Sequence, residues 1–245
     1  MGISVGSIER GPAGGILASI GAELPAQIGT AGGSALREYE RRRAAREHRA
    51  RERAGLIGVW MTRLRGDPLS TLWWKQGGDG EVKVAKRLAS LLKDSGVHLL
   101  HDRRAPGRVR ANIDHIAVGP GGITVIDAKT LSGKVRVESA GGLFAPRRRL
   151  LRVDGRNRTH LVYGVRAQAE SVRVLLDQSG IVADVRSALC FADASRLPLF
   201  ARLELEDVLI DGPRRVAKLA RRPGPLDDKQ VREIVRLLVT SLPAA

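Results

Sequence analysis

A chain of 245 residues with 43% hydrophobic content suits one globular domain with extensions, and it holds no run of about 18 apolar residues that could form a membrane helix. Its single cysteine, Cys190, excludes an internal disulfide and a multi-cysteine zinc site, and aromatic content of 3% argues against broad base-stacking platforms. Lys and Arg number 42 against 26 Asp and Glu, a net charge of +16 that attracts polyanions, nucleic acid first and anionic membrane second.

Residues 1–33 are rich in Gly, Ala, Ser and Pro without sustained periodicity and read as a disordered leader. The short apolar piece at 14–20 is too weak for a signal peptide, so the expected location is the cytoplasm. From Ser34 to Gly66 a basic helical arm is expected. It is charged almost all round, with Glu–Arg spacings that support a solvated helix; the competing reading is an arm laid along phosphates.

A globular domain over 67–245 follows. Helical spacing of Val84, Ala85, Leu88, Leu91 and Leu92 predicts a helix over about 79–94. Strands are expected near 97–101, 112–119 and 123–129, with further pieces at 135–138 and 150–153. A second helix at about 161–176, a strand at 186–191, a short helix at 214–221 and a C-terminal helix at 228–242 complete the pattern. Cys190 falls in an apolar run, where it reads as a small buried residue. Together these make an α/β domain with a central sheet covered by helices.

The stretch ANIDHIAVGPGGITVIDAKT (111–130) places a carboxylate in each of two strands that flank a Pro-Gly-Gly turn. Strands deplete Asp, and an unpaired buried charge is costly. A symmetric reversal pairs residues whose numbers sum to 241, as those of Asp114 and Asp127 do, so the two would face each other across the hairpin. A divalent cation between them, Mg²⁺ or Mn²⁺, would compensate their repulsion. So would Lys129, which shares a strand face with Asp127, and chemistry alone leaves both arrangements open. Glu81 continues the apolar stripe of its helix toward the sheet, although acids are also favoured in a first helical turn. Gln168 lies on the Val165–Val172 stripe and reads first as a core amide. His115 faces away from Asp114 and reads as a packed core histidine.

The runs WKQGGDGE (74–81), NIDHI (112–116) and VIDAK (125–129), in this order, resemble the nuclease-related domain, NERD, which is itself similar to the PD-(D/E)XK nuclease superfamily. The resemblance covers about 74–180. It implies a three-layer α/β/α, restriction-endonuclease-like core with a mixed central sheet. It also implies a Mg²⁺-dependent nuclease acting on nucleic acid, with DNA as the leading substrate. Under it, Glu81, Asp114, Asp127 and the Ala128 carbonyl hold Mg²⁺ (or Mn²⁺), and Lys129 positions the attacking water or stabilises the charge on phosphorus. Gln168 matches a helix Gln of the superfamily, but Val172 stands where its Tyr partner would be. In-line attack would leave a 5′-phosphate and a 3′-hydroxyl. The alternative is a catalytically silent nucleic-acid-binding module on the same fold. Arg103, Arg104, Arg108 and Arg110, then Arg147, Arg148 and Arg149, then Arg156 and Arg158, surround this set in sequence and fit sequence-independent phosphate contacts.

Overall fold

The computed structural model describes residues 24–64, 69–105, 112–131, 133–141, 148–193, 195, 197–198 and 202–245. A two-residue strand, β1 (Gln27–Ile28), and a long helix, α1 (Gly33–Leu64), open it. Residues 24–33, which composition assigns to the leader, thus include a strand, and residues 1–23 lie outside the described residues. Helix α1 is laced by the expected pairs, with Arg42 Nε 2.5 Å from Glu38 and Arg43 Nε 3.5 Å from Glu47.

Helix α2 (Leu69–Leu92) starts earlier than the apolar stripe suggests. It leads into β2 (His98–Arg104), β3 (Asn112–Gly119) and β4 (Gly122–Lys129), an antiparallel meander. A small antiparallel sheet of β5 (Val135–Ala140), β6 (Arg148–Val153) and β7 (Arg156–Asn157) follows. Helix α3 (Thr159–Gln178) crosses to β8 (Val185–Phe191), which pairs parallel to β4. Strands β9 (Leu203–Leu205) and β10 (Val208–Asp211) extend the sheet before α4 (Pro213–Ala220) and α5 (Asp228–Ser241). The main sheet has seven strands in the order β1-β2-β3-β4-β8-β10-β9, with parallel and antiparallel pairs mixed.

Side-chain alternation splits this sheet cleanly into two faces. Ile116, Val118, Ile123, Val125, Leu189 and Phe191 pack with Val165 and Val172 of α3 and with Ile234 and Val235 of α5. Their strand neighbours Ala117, Ile126, Ala188 and Cys190 pack with Val84 and Leu88 of α2 and Val216 of α4. The architecture is the expected three-layer α/β/α core with a mixed sheet. Cys190 is fully buried, and burial pushes its thiol pKa up, as a structural cysteine requires. Helix α5 starts on a reciprocal capping box between Asp227 and Gln230.

One close approach sets where α2 meets the sheet. A Cβ on Gly80 would lie 1.8 Å from Thr130 Cγ2, just beyond the end of β4. Alanine is the better helix former by about 1 kcal/mol, so propensity alone favours Gly80→Ala. The β-branched Thr130 must nevertheless be displaced, and overpacking costs about 1–3 kcal/mol. Gly80→Ala should therefore lower the thermal midpoint, and an unchanged or raised midpoint would show that this contact is slack.

Candidate nuclease-related site

Every ladder pair between β3 and β4, from Gly119 with Gly122 to His115 with Ile126, has residue numbers that sum to 241, which is the even register expected from the turn. The ladder stops one pair short of Asp114 and Asp127. There the Ala128 N–H donates to Asp114 Oδ2 at 2.7 Å, so a carboxylate takes the place of a backbone acceptor. On the same face, Lys129 Nζ lies 2.7 Å from Asp127 Oδ2.

Glu81 joins this pair from α2. Burial raises its pKa to about 7, and the Asp102 and Asp127 charges push the same way, while Lys129 and a hydrogen bond from the Gly32 backbone oppose them. Burial also holds Asp114 well above the usual carboxylate range, reinforced by Asp127 and Glu81. Burial alone would lower Lys129, but the carboxylates of Asp127 and Asp114 outweigh it and hold its pKa above the ordinary value. The cluster therefore holds more carboxylates than one ammonium can neutralise, which favours the protonated form of Glu81 and Asp114.

Sequence reasoning missed Asp102. The pairing of β2 with β3 keeps one register on both sides of it, so it falls opposite Asp114 and completes a row of three aspartates across β2, β3 and β4. Its backbone is left-handed, with φ of 49°, and its side chain is buried. Asp102 Oδ2 accepts the Ser34 N–H at 2.6 Å and Arg37 Nη2 at 3.2 Å, which fastens the first turn of α1 beside the cluster. The available signal was an Asp directly after the strand-like run of 97–101, akin to the anomaly that exposed Asp114.

Gln168 reaches the start of β3, with Nε2 donating to the Asn112 carbonyl at 3.0 Å and Oε1 buried without a partner. It steadies the strand two residues before Asp114. His115 is fully buried on the opposite sheet face, with Nδ1 3.0 Å from His101 Nδ1. Burial lowers the pKa of His101 to about 4 and of His115 to about 3, so both stay neutral in the core.

The arginines fall into separate settings. Arg103 is buried and donates to the Leu242 carbonyl at 3.3 Å, tying β2 to the residues after α5. Arg104, Arg148, Arg149 and Arg156 are exposed, and Arg158 is half-buried. Arg149 also donates to the Glu204 carbonyl at 2.8 Å. Arg108, Arg110 and Arg147 lie outside the described residues.

A family model described as the nuclease-related domain, NERD, matches residues 76–192. Those residues, just under half of the chain, are similar to the nuclease-related domain family. No curated protein and no solved structure matches the chain. The NERD segment contains Glu81, Asp102, Asp114, Asp127, Lys129 and Gln168, and it leaves out α1, β9, β10, α4 and α5. Among the described residues no helix is long and apolar enough to cross a membrane.

The side-chain donors of the Glu81, Asp114 and Asp127 cluster are carboxylate oxygens, the kind that suits a hard divalent ion. Among the described residues, no group of three or more His, Cys, Asp or Glu side chains is arranged to hold a metal. Burial and neighbouring carboxylates push Asp114 and Glu81 toward the protonated form, in a corner of the protein electrostatically crowded with carboxylates.

Proposed function

We propose that the NERD segment is a Mg²⁺-dependent nuclease that hydrolyses phosphodiester bonds in DNA. The observation that supports it best is the pair Asp114 and Asp127, in register where the β3–β4 ladder ends, with Lys129 on Asp127. Asp114 and Asp127, with Glu81 and the Ala128 carbonyl, are the groups that would have to draw together to hold the ion, with water and substrate phosphate supplying the other oxygens. When bound, Mg²⁺ polarises a phosphate oxygen and lowers the pKa of a coordinated water.

The remaining work falls to the protein's own side chains. Lys129, kept cationic by its neighbours, supplies a fixed positive charge where negative charge develops on phosphorus. Asp127 orients that ammonium through the 2.7 Å contact. Glu81, with a pKa of about 7, can take up a proton at neutral pH. The Ala128 N–H fixes the Asp114 carboxylate, and Gln168 holds the Asn112 carbonyl two residues before it. The net charge of +16 supports a nucleic-acid substrate, and DNA is the one that the resemblance implies. A binding module without catalysis is the second reading, favoured by the way Lys129 already neutralises Asp127 without a metal.

A calorimetric Mn²⁺ titration of the wild type and Asp114→Asn, followed by incubation with mixed DNA and RNA substrates, separates these readings. The asparagine oxygen can still accept the Ala128 N–H, so the fold is retained. Metal binding and cleavage should be lost together in the variant. An absence of Mn²⁺ binding by the wild type, even with nucleic acid present, would make the cluster structural.

A further inference from the structure

Beyond the family-matched residues, a cleft of about 580 Å³ opens beside α4. Every charged side chain that lines it is cationic: Arg202, Arg215, Lys218, Arg221 and Arg222. Leu209 and Leu219 supply apolar lining among these charges. Arg202 is offset by Glu204 at 2.8 Å and Arg215 by Asp211 at 3.1 Å. Lys218, Arg221 and Arg222 are exposed and carry no ion pair among the described residues.

A basic chain does not produce such a cleft automatically. The adjoining cleft of about 540 Å³ holds as many acids as arginines. There Arg166 pairs with Glu206, Arg173 with Glu170 and Arg186 with Asp184. Cations in the last turn of a helix are favoured by its dipole, which accounts for Lys218. The dipole does not explain Arg222, beyond the helix, or Arg202, beside β9.

The cleft also lies far from the carboxylates. A Cβ on Gly121, in the β3–β4 turn, would meet the Arg222 carbonyl oxygen at 2.4 Å, so Arg222 sits at the turn end of the sheet. Asp127 stands five residues along β4 from Gly122, roughly 17 Å at about 3.4 Å per residue.

We propose that this cleft is a second nucleic-acid contact, which seats backbone phosphates of duplex DNA without reading bases and away from the carboxylate cluster. It rests on the proposed function only for the choice of ligand. The shared chemistry is a run of phosphates, which a free polyphosphate also presents.

The test is duplex affinity against salt concentration, measured in EDTA on the full chain with the triple variant Lys218→Ala, Arg221→Ala, Arg222→Ala. Each lost phosphate contact removes about 0.9 from the slope of log K against log salt, so the expected reduction is about 2–3. A companion variant, Arg166→Ala with Arg173→Ala, removes charges that are already paired and should leave the slope nearly unchanged. An unaltered slope in the triple variant, or equal reductions in both variants, would overturn the proposal. So would loss of inorganic triphosphate binding by the triple variant with duplex binding intact, which would assign the cleft to a free polyphosphate. Because no metal is present, failure of the nuclease reading leaves this slope untouched, and the two ideas fail separately.

Discussion

Asp127→Asn should reduce Mg²⁺-dependent cleavage by about 10³-fold or more, the scale expected when one preorganised charge-stabilising group is removed. Retention of duplex DNA at fixed salt should stay unchanged. Asparagine preserves the shape of the side chain, but it withdraws one of the two in-register carboxylates and releases the Lys129 ammonium held at 2.7 Å. Under the proposed reading both losses act where charge changes during the reaction, whereas duplex retention would draw on surface cations away from Asp127. The measurement is single-turnover cleavage of labelled duplex beside a filter-retention assay. Undiminished cleavage would remove Asp127 from the chemistry. Parallel loss of cleavage and retention would instead point to a disturbed fold.

Glu81→Gln should stabilise the metal-free protein at neutral and alkaline pH while weakening its Mn²⁺ affinity. The folded chain raises the Glu81 pKa from 4.5 to about 7, so between those values the native state holds a proton that the unfolded state has released. Stability therefore falls as pH rises through this window, and the full penalty applies above about pH 7. At about 1.4 kcal/mol for each pH unit, the ceiling is about 3 kcal/mol, less what Glu81 shares with Asp102 and Asp127. Removing the charge should raise the thermal midpoint by several degrees at pH 8 and hardly at all at pH 4. Equal midpoints at both pH values would show that Glu81 is not strained by its neighbours. Added Mn²⁺ should narrow the difference between wild type and variant at pH 8, because a cation relieves the same repulsion.

Much of this arrangement is legible without coordinates because short-range rules govern it. The Pro-Gly-Gly turn determines the register of β3 on β4, and the register brings Asp114 opposite Asp127. The apolar stripes of α2, α3 and α5 face the sheet as their spacing requires. Strands β9 and β10 escaped notice because they are three and four residues long and break at Glu206 and Asp207, both with positive φ. Strand β1, of two residues, carries too little pattern to stand out from the glycine-rich leader. The buried state of Arg103 was equally hidden, since strand alternation does not reveal which basic residue the residues after α5 will cover.

The sequence by itself determined an α/β domain with a helix-covered sheet, the acid–acid–x–Lys set of Asp114, Asp127 and Lys129, and the placement of Cys190 in the core. Each follows from periodicity or from a charge standing where a strand excludes one, and both are local properties of the chain. Only the tertiary structure decided that Asp102 joins the row of aspartates and receives the first turn of α1, through contacts with Ser34 and Arg37 more than sixty positions away. It alone decided that Glu81 sits close enough to its neighbours to hold a proton near pH 7. The physical reason is that both outcomes depend on Coulomb energies and desolvation between groups distant in sequence. Those energies are set by separations of a few ångströms that no residue spacing encodes.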